Sequence, residues 1–353
     1  MKASSNSQRR EWIFFIVLVF ILLVLQPILP SKMMAAEILI MAFPTLAFIV
    51  LLGYTGQLSF GTGSLFAIGA YTTGILLARY DTNVLVAIAA GVIMTGIIAS
   101  IVGFFCIRQV GLIFALLTLA FNQLVWFIIW QWRGLTGGPD GIWGIQRSSL
   151  DFGLFSFNIK PSFNFYIFVV VLFLLTFLFV RRLIESPFGK VLQGMRDSEL
   201  RATAIGYRPI TYKWMSFVIT GMMCGLGGSL FALHQEYVGE HLASWTTSGE
   251  VVMMALLGGS SVLIGAVIGS GAFILLSDLL NQITALARGG GWLFILGVIF
   301  ILVVMFLKGG LYGGAESLYG WVRARFESSP PPPKGPQSLD KGAAEAGAQP
   351  ADR

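Results

Sequence analysis

The polar side chains of this sequence are few, and they gather where apolar runs are interrupted. The densest group lies in 52–71, LGYTGQLSFGTGSLFAIGAY, where Tyr54, Thr55, Gln57, Ser59, Thr62 and Ser64 alternate with Gly53, Gly56, Gly61, Gly63 and Gly69. Hydroxyls and an amide at this density can hold water or a polar solute by hydrogen bonds. Each glycine weakens a helix by roughly 1 kcal/mol relative to alanine. The segment therefore suits a broken helix whose backbone and side chains line an aqueous path, which membranes tolerate only where protein or a cavity surrounds it. The same glycines also suit close helix packing. The expectation is a mixture in which packing dominates.

A second interrupted run, 253–271, reads MMALLGGSSVLIGAVIGSG. Its break at Gly258 and Gly259 parallels LLGY in the first segment, and Gly265 with Gly269 forms GxxxG. Corresponding breaks in two halves of a chain point to a transport pathway. Any two Gly-rich apolar segments look alike, so an internal repeat and a coincidence both stand. Isolated polar residues within apolar runs are Asn122, Gln123 and Asp278. An intramembrane aspartate is a functional candidate by default. However, SDLLNQ also suits a solvated helix end, and Asn and Gln more often bond neighbouring helices than a solute. Tyr54, Gln57, Ser59, Thr62, Ser64, Asn122, Gln123, Gly258, Gly259 and Asp278 are the pathway candidates.

Other chemistry is absent from the sequence. It holds no GxxxxGK[ST] loop, no HExxH, no paired intramembrane aspartates and no Ser/His arrangement for nucleophilic catalysis. The two cysteines, Cys106 and Cys224, sit apart in apolar runs, and the two histidines are His234 and His241, so no metal site is expected.

These residues are embedded in a chain that is 56% hydrophobic and 11% charged. Soluble domains run near a quarter charged, so lipid is the expected solvent. The net charge of +6 reads as the basic bias of cytoplasmic loops rather than as nucleic-acid binding. The expected fold is an all-α polytopic membrane protein with membrane lipid around it. Candidate spans are 11–29, 33–52, 58–79, 84–107, 112–130, 163–180 and 213–233, then 250–280 divided at Gly258-Gly259-Ser260-Ser261, and 292–307. That makes about ten crossings, or eight to ten if the Gly-rich segments re-enter rather than cross. Residues 1–10 and 308–326 are expected in the cytoplasm, and 327–353, with Pro330 to Pro333, as a disordered tail.

Loop charge sets the orientation. Arg181, Arg182, Lys190, Arg196, Arg201, Arg208 and Lys213 lie in 181–213, against Arg133, Arg147 and Lys160 in 131–162. The first loop is expected inside and the second outside. The inner loop is written as two short helices. Ser186 before Pro187 is an N-cap signal. Val191 and Met195 share a face, and Asp197 can cap a second helix that carries Glu199 in its first turn. Leu200, Ala204 and Ile205 form an apolar stripe, and Gly206 and Pro209 end the helix. Two readings stand: the pair packs on its own helix ends or the lipid interface, or it is a socket for a cytoplasmic protein.

SPFGKVLQGMRDSELRATAIGY, followed by YKWMSFVITGMMCGLGGSLFAL, resembles the signature region of the branched-chain amino acid ABC transporter permease family. GYTGQLSFGTGSLFAIGAY, TGGPDGI at 136–142 and EVVMMALLGGSSVLIGAVIGS are similar to further blocks in the family's order, so the resemblance covers 33–307. It implies a transporter subunit rather than an enzyme, in a bacterial cytoplasmic membrane. It also implies a second permease subunit, two ABC ATPase subunits that bind ATP and Mg, and an extracytoplasmic solute-binding protein. This chain itself would bind no cofactor. The family's coupling helix falls on 186–206, which makes Ser186, Pro187, Gly189, Arg196, Glu199, Ala204 and Gly206 the implied ATPase contacts. Thr62 stands where the family often has histidine, Pro139 where serine is usual and Ala266 where proline is common. The implied solute is a branched-chain amino acid, with urea, short amides or aromatic acids as the alternatives among relatives. An ATPase-independent channel or carrier is the competing class. Scarce intramembrane carboxylates weigh against ion coupling. A membrane enzyme or anchor is disfavoured by the lack of clustered catalytic groups.

Overall fold

The computed structural model describes residues 32–80, 82–147, 150–151, 156–282, 291–306 and 309–314. The expected first span, 11–29, and the tail, 327–353, lie outside the described residues. Apolar runs become helices. Lys32–Ile49 forms α1 and continues into a π-helical turn, Val50–Tyr54. Thr62–Tyr80 is α2. Val84–Cys106 is α3, started by Asn83, whose side chain accepts from the Leu85 amide at 2.9 Å. Leu112–Gln131 is α4, Arg133–Thr136 is α5 and Ser162–Glu185 is α6. The short helices Pro187–Asp197 and Glu199–Ala204 are α7 and α8. Pro209–Gln235 is α9, Trp245–Gly258 is α10, Gly265–Gln282 is α11 and Gly291–Phe306 is α12.

Among the described residues, five helical stretches, including the continuous Met33–Tyr54, are long and apolar enough to cross a bilayer. The others fall short of that standard: α10 has 14 residues and α12 has 16, against the ~20 that span the hydrocarbon core. The expected breaks are present. Helix is lost between Tyr54 and Thr62, and again between Gly258 and Gly265.

The core sits along α1 and α9. Phe43 meets Phe173 of α6 edge-on at 5.4 Å, and Phe217 of α9 meets Phe114 of α4 at 6.1 Å. Toward the periphery α3 exposes Ile93, Ile97, Ile101 and Phe104, and α4 exposes Leu116, Leu124 and Phe127. Such faces would aggregate in water and are what lipid requires. Small residues set the closest approaches. A Cβ on Gly69 of α2 would overlap the Gly225 backbone of α9, and one on Gly269 of α11 would overlap the Met254 carbonyl of α10. The GxxxG pair therefore packs α11 on α10.

The connection 131–162 carries the small amount of strand. Ile142–Trp143, Leu150–Asp151 and Ser156–Phe157 are β1, β2 and β3, and Tyr237–Val238, after α9, is β4. β1 pairs antiparallel with β4, Ile142 opposite Val238, and β2 pairs with β3. Buried Arg147 fastens this connection to the end of α9. It donates to the carbonyls of Leu233 at 2.7 Å and His234 at 2.5 Å, pairs with Glu236 at 3.3 Å and lies over the Phe165 ring. Those carbonyls lack intrahelical donors, so the cation sits where the helix end favours it. α6 has 24 residues, about 36 Å at the α-helical rise. The connections 131–162 and 181–213 therefore lie at its opposite ends.

Candidate functional site

The first polar locus is the unwound stretch between the π turn and α2. Gly56 has φ +70°, a conformation that glycine adopts without strain. The Gln57 amide returns to the Leu51 carbonyl at 3.0 Å. α2 then begins inside the bundle, where its first amides need acceptors. Other elements supply them. Phe60 N–H donates to Thr118 Oγ1 at 3.1 Å, Gly63 N–H to Ser248 Oγ at 2.9 Å and Ser64 N–H to Asn122 Oδ1 at 2.7 Å.

Asn122 also donates to the Ala243 carbonyl at 2.9 Å and accepts from Ser248 Oγ at 3.3 Å. Both bonds to its oxygen and one from its NH2 group are used in tying α2, α4 and the start of α10 together. Ser59 accepts from Gly61 N–H, and Ser64 Oγ donates to the Gly61 carbonyl. Among the described residues, Gln57 Oε1 and Thr62 Oγ1 are buried and lack a hydrogen-bond partner. These are the atoms of the segment with capacity left for water or solute. Tyr54 is half-buried beside them in sequence, whereas Gln123 is exposed next to outward-facing Leu124. Gly258 packs against the Gly265 backbone, and Gly259, at φ +107°, faces the Gly309 carbonyl. Both glycines serve backbone contacts.

The second locus is a cavity of about 540 Å³ among α1, α2, α9, α10 and α11. Its polar lining is Glu37, His241, Thr246, Thr247, Glu250, Ser277, Asp278 and Asn281, and Met34, Met41, Phe66, Phe231, Leu242, Met254, Phe273 and Ile274 form the apolar remainder. α9 runs away from the loop 181–213, so His241 and Thr246 beyond its far end set the cavity toward the opposite end of the bundle. Of the pathway candidates the cavity takes Asp278 alone. Tyr54, Gln57, Ser59, Thr62 and Ser64 do not line it, although Phe66 lies one turn of α2 beyond Thr62. Asp278 Oδ2 accepts from Gln282 Nε2 at 2.7 Å. Among the described residues no salt bridge neutralises Glu37, Glu250 or Asp278. His241 lies in the connector before α10; burial lowers its pKa from 6.5, and Glu240 pushes it back up. Chemically the cavity offers carboxylates to a cationic group and thioether and aromatic surface to an alkyl group. Sequence reasoning missed Glu37, Glu250 and Ser248. The two glutamates carried a visible signal, an ionisable residue in an apolar run; Ser248 carried none.

The third locus is the α7–α8 pair. Ser186 caps α7, its hydroxyl accepting from Gly189 N–H at 3.4 Å, with Pro187 in the first turn. The cap of α8 is Ser198, which accepts from Arg201 N–H, and not Asp197. Asp197 is the last residue of α7, and the serine one position later has the extended backbone a cap needs. Gly189 lets α7 approach the Ile184 backbone, and Gly206, at φ +96°, ends α8 with its amide on the Thr203 carbonyl. Glu199 turns inward to Lys213 at 2.6 Å. Arg196 also reaches inward and donates to the Gly53 carbonyl. Facing away from the bundle are Leu200, 85% exposed, Ile205, 76% exposed, and Ala204, also exposed. Beside them is a groove of about 530 Å³ lined by Pro187, Lys190, Val191, Gly194, Asp197, Arg201, Ala202, Ile205 and Tyr207.

Interrupted apolar helices, a polar cavity at one end and an amphipathic helix pair at the other are the features of a multi-pass membrane transport subunit. The chain belongs to the family described as the permease component of the branched-chain amino acid transport system, which it matches over residues 32–307. It is 26% identical over 264 residues to the high-affinity branched-chain amino acid transport system permease protein LivM of Escherichia coli K12, covering 68% of this chain and 62% of that protein. The LivM protein of Salmonella typhimurium LT2 gives the same figures. A probable LivM of Methanocaldococcus jannaschii is 28% identical over 244 residues, 64% of this chain and 66% of that one. The chain thus spans less than two thirds of the length of these relatives. No solved structure matches it.

Proposed function

We propose that this chain is a pore-forming permease subunit of an ATP-driven importer in a bacterial cytoplasmic membrane. It works with a second permease, two ATPase subunits that bind ATP and Mg, and an extracytoplasmic binding protein. The observation that carries this reading is the α7–α8 pair. Leu200 and Ile205 stand out into water beside an apolar groove, in a chain whose sequence has no nucleotide-binding loop of its own. An ordered helix pair with an uncovered apolar face is suited to a protein partner. The basic residues of 181–213 support placing that face in the cytoplasm.

The solute is a branched-chain amino acid. The cavity supports this choice: Glu37, Glu250 and Asp278 suit an ammonium group, and Met41, Phe66, Met254 and Phe273 suit an alkyl side chain. Urea or a short amide has no use for three carboxylates. The test is reconstitution of the full complex in proteoliposomes with leucine, urea and phenylalanine compared. ATP-dependent leucine uptake, with ATPase subunits in the purified complex, is expected. ATP-independent flux from a chain that brings down no ATPase would establish a channel or carrier instead.

A further inference from the structure

We infer that Arg196 is a positioning residue that passes movement of the cytoplasmic loop directly into the unwound segment before α2. The inference rests on the importer reading and goes beyond it. That reading makes 186–206 a contact for the ATPase, but the guanidinium of Arg196, an exposed residue, is bonded to the membrane domain. From the last turn of α7 its guanidinium donates to the carbonyl of Gly53, 143 residues earlier in the chain.

The position of that carbonyl gives the bond its meaning. Gly53 lies in the π turn that ends α1, where carbonyls run out of intrahelical donors and a cation is favoured. Three residues later the chain turns at Gly56, φ +70°, and a Cβ there would lie 3.2 Å from Arg196 Cγ. The arginine stem thus packs on the turn while its head holds the carbonyl. Gly53 also abuts the Ser260 carbonyl, in the second break between α10 and α11. One side chain of the loop therefore touches the point where both broken segments meet. Beyond it run Gln57 and Thr62, which hold the unpartnered buried polar atoms.

The far end of the segment is fixed. Thr118 holds the Phe60 amide just before α2, and Ser248 and Asn122 hold the first amides of α2 itself. A stretch anchored at α2 and gripped at Gly53 must change its backbone angles when the grip moves. The non-helical residues between them, with a glycine at positive φ, are where such change costs least. Tilting α7 thus shifts Gly53 while α2 stays in place, and the segment deforms between them.

The test uses the full complex in proteoliposomes with radiolabelled leucine, and three variants. Arg196→Met keeps the aliphatic stem against Gly56 and removes the donors. Arg196→Lys keeps a donor and a charge. Leu58→Cys, in a background with Cys106 and Cys224 replaced by alanine, places a thiol in the segment whose reactivity is read with and without ATP and vanadate. For Arg196→Met we expect the ATPase subunits to co-purify as in wild type and hydrolysis to continue. Leucine moved per ATP falls about tenfold, within the range common for site-to-site coupling, and the response of the introduced thiol to ATP and vanadate disappears. Arg196→Lys restores a substantial part of both. Wild-type transport per ATP in Arg196→Met would overturn the inference. So would loss of the ATPase from that variant alone, which would make Arg196 a docking residue, and so would a lysine variant no better than methionine. A wild-type chain that brings down no ATPase would overturn the importer reading and the inference with it. That result is distinguishable because it shows before any variant is made.

Discussion

Replacing Leu200 and Ile205 together by serine should detach the ATPase while leaving the membrane domain intact. The two side chains are 85% and 76% exposed, so the bundle loses almost no packing when they are shortened. Burying a leucine or isoleucine is worth about 1.5–3 kcal/mol, and fixing its rotamers costs about 0.5–1 kcal/mol. Two such residues buried in one interface contribute roughly 2–4 kcal/mol. At about 1.4 kcal/mol per factor of ten, the dissociation constant should rise roughly 30-fold to 700-fold. The assay is titration of purified ATPase onto the permease complex in nanodiscs, with Thr203→Ala as an exposed control in the same helix. Ala204→Trp, whose new ring would project from the same exposed face, should block docking by bulk and leave membrane insertion unchanged. Wild-type affinity for the serine pair, in a protein that stays monodisperse, would refute the assignment of this face.

Asn122→Ala should lower the thermal stability of the detergent-solubilised protein. It leaves the Ser64 amide, the Ala243 carbonyl and the Ser248 hydroxyl without their partner, at about 1–3 kcal/mol for each buried group left unsatisfied. Differential scanning fluorimetry reads it, and an unchanged midpoint would return Asn122 to the solute pathway. Glu250→Gln with Asp278→Asn should raise the KM for leucine with little change in basal hydrolysis, because the cavity loses two of its three carboxylates; an unchanged KM would empty the cavity of its role. A cysteine at exposed Asn158 should react with an impermeant thiol reagent in intact cells, while one at Ser198 should react only after permeabilisation; the reverse pattern would invert the topology. Uptake should hold from pH 7.5 down through 6.5 and decline below it. Burial lowers the His241 pKa from 6.5, so the ring is neutral above that pH, and its protonation would put a competing cation beside the carboxylates. His241→Gln should move the acid limb lower.

Helices whose ends are set by their own residues were legible. The expected 84–107 and 112–130 are Val84–Cys106 and Leu112–Gln131, because apolar content and, at the start of the first, the Asn83 cap decide them. The break at Gly258 is likewise local. The start of α2 was not legible: 58–79 reads as one span, yet helix begins at Thr62. The amides of Phe60, Gly63 and Ser64 around that start are satisfied by Thr118, Ser248 and Asn122, between 58 and 185 residues away, and no local pattern announces such partners. The pairing of Ile142 with Val238 is hidden for the same reason. Asp197 and Ser198 are both good caps, and the backbone angles of α7 choose between them.

The loop was legible as two capped helices, but the direction of each side chain was not. Resemblance made all seven of its named residues partner contacts. In the structure Gly189 serves packing on Ile184, Glu199 binds Lys213, Arg196 binds Gly53 and Gly206 ends α8. A helix of six residues is too short for periodicity to tell its two faces apart, so the position of Lys213 on α9 decides which way Glu199 turns. The cavity gives the opposite lesson. Glu37 and Glu250 are visible in the sequence as charges near the ends of apolar runs, yet they are not among the pathway candidates. Each lies five residues into its helix, about 7–8 Å along the axis, deep enough to leave the surface and meet Asp278 from a third helix. An ionisable residue near the end of an apolar run is therefore judged by what the facing helices bring to the same depth. Here they bring two further carboxylates and, among the described residues, no cation. Ionising crowded carboxylates without a counterion is costly in the empty cavity, and under the proposed function an ammonium group would offset that cost on entry. Under the proposed function, the carboxylates that disfavour the empty state are also the groups that would select for such a solute.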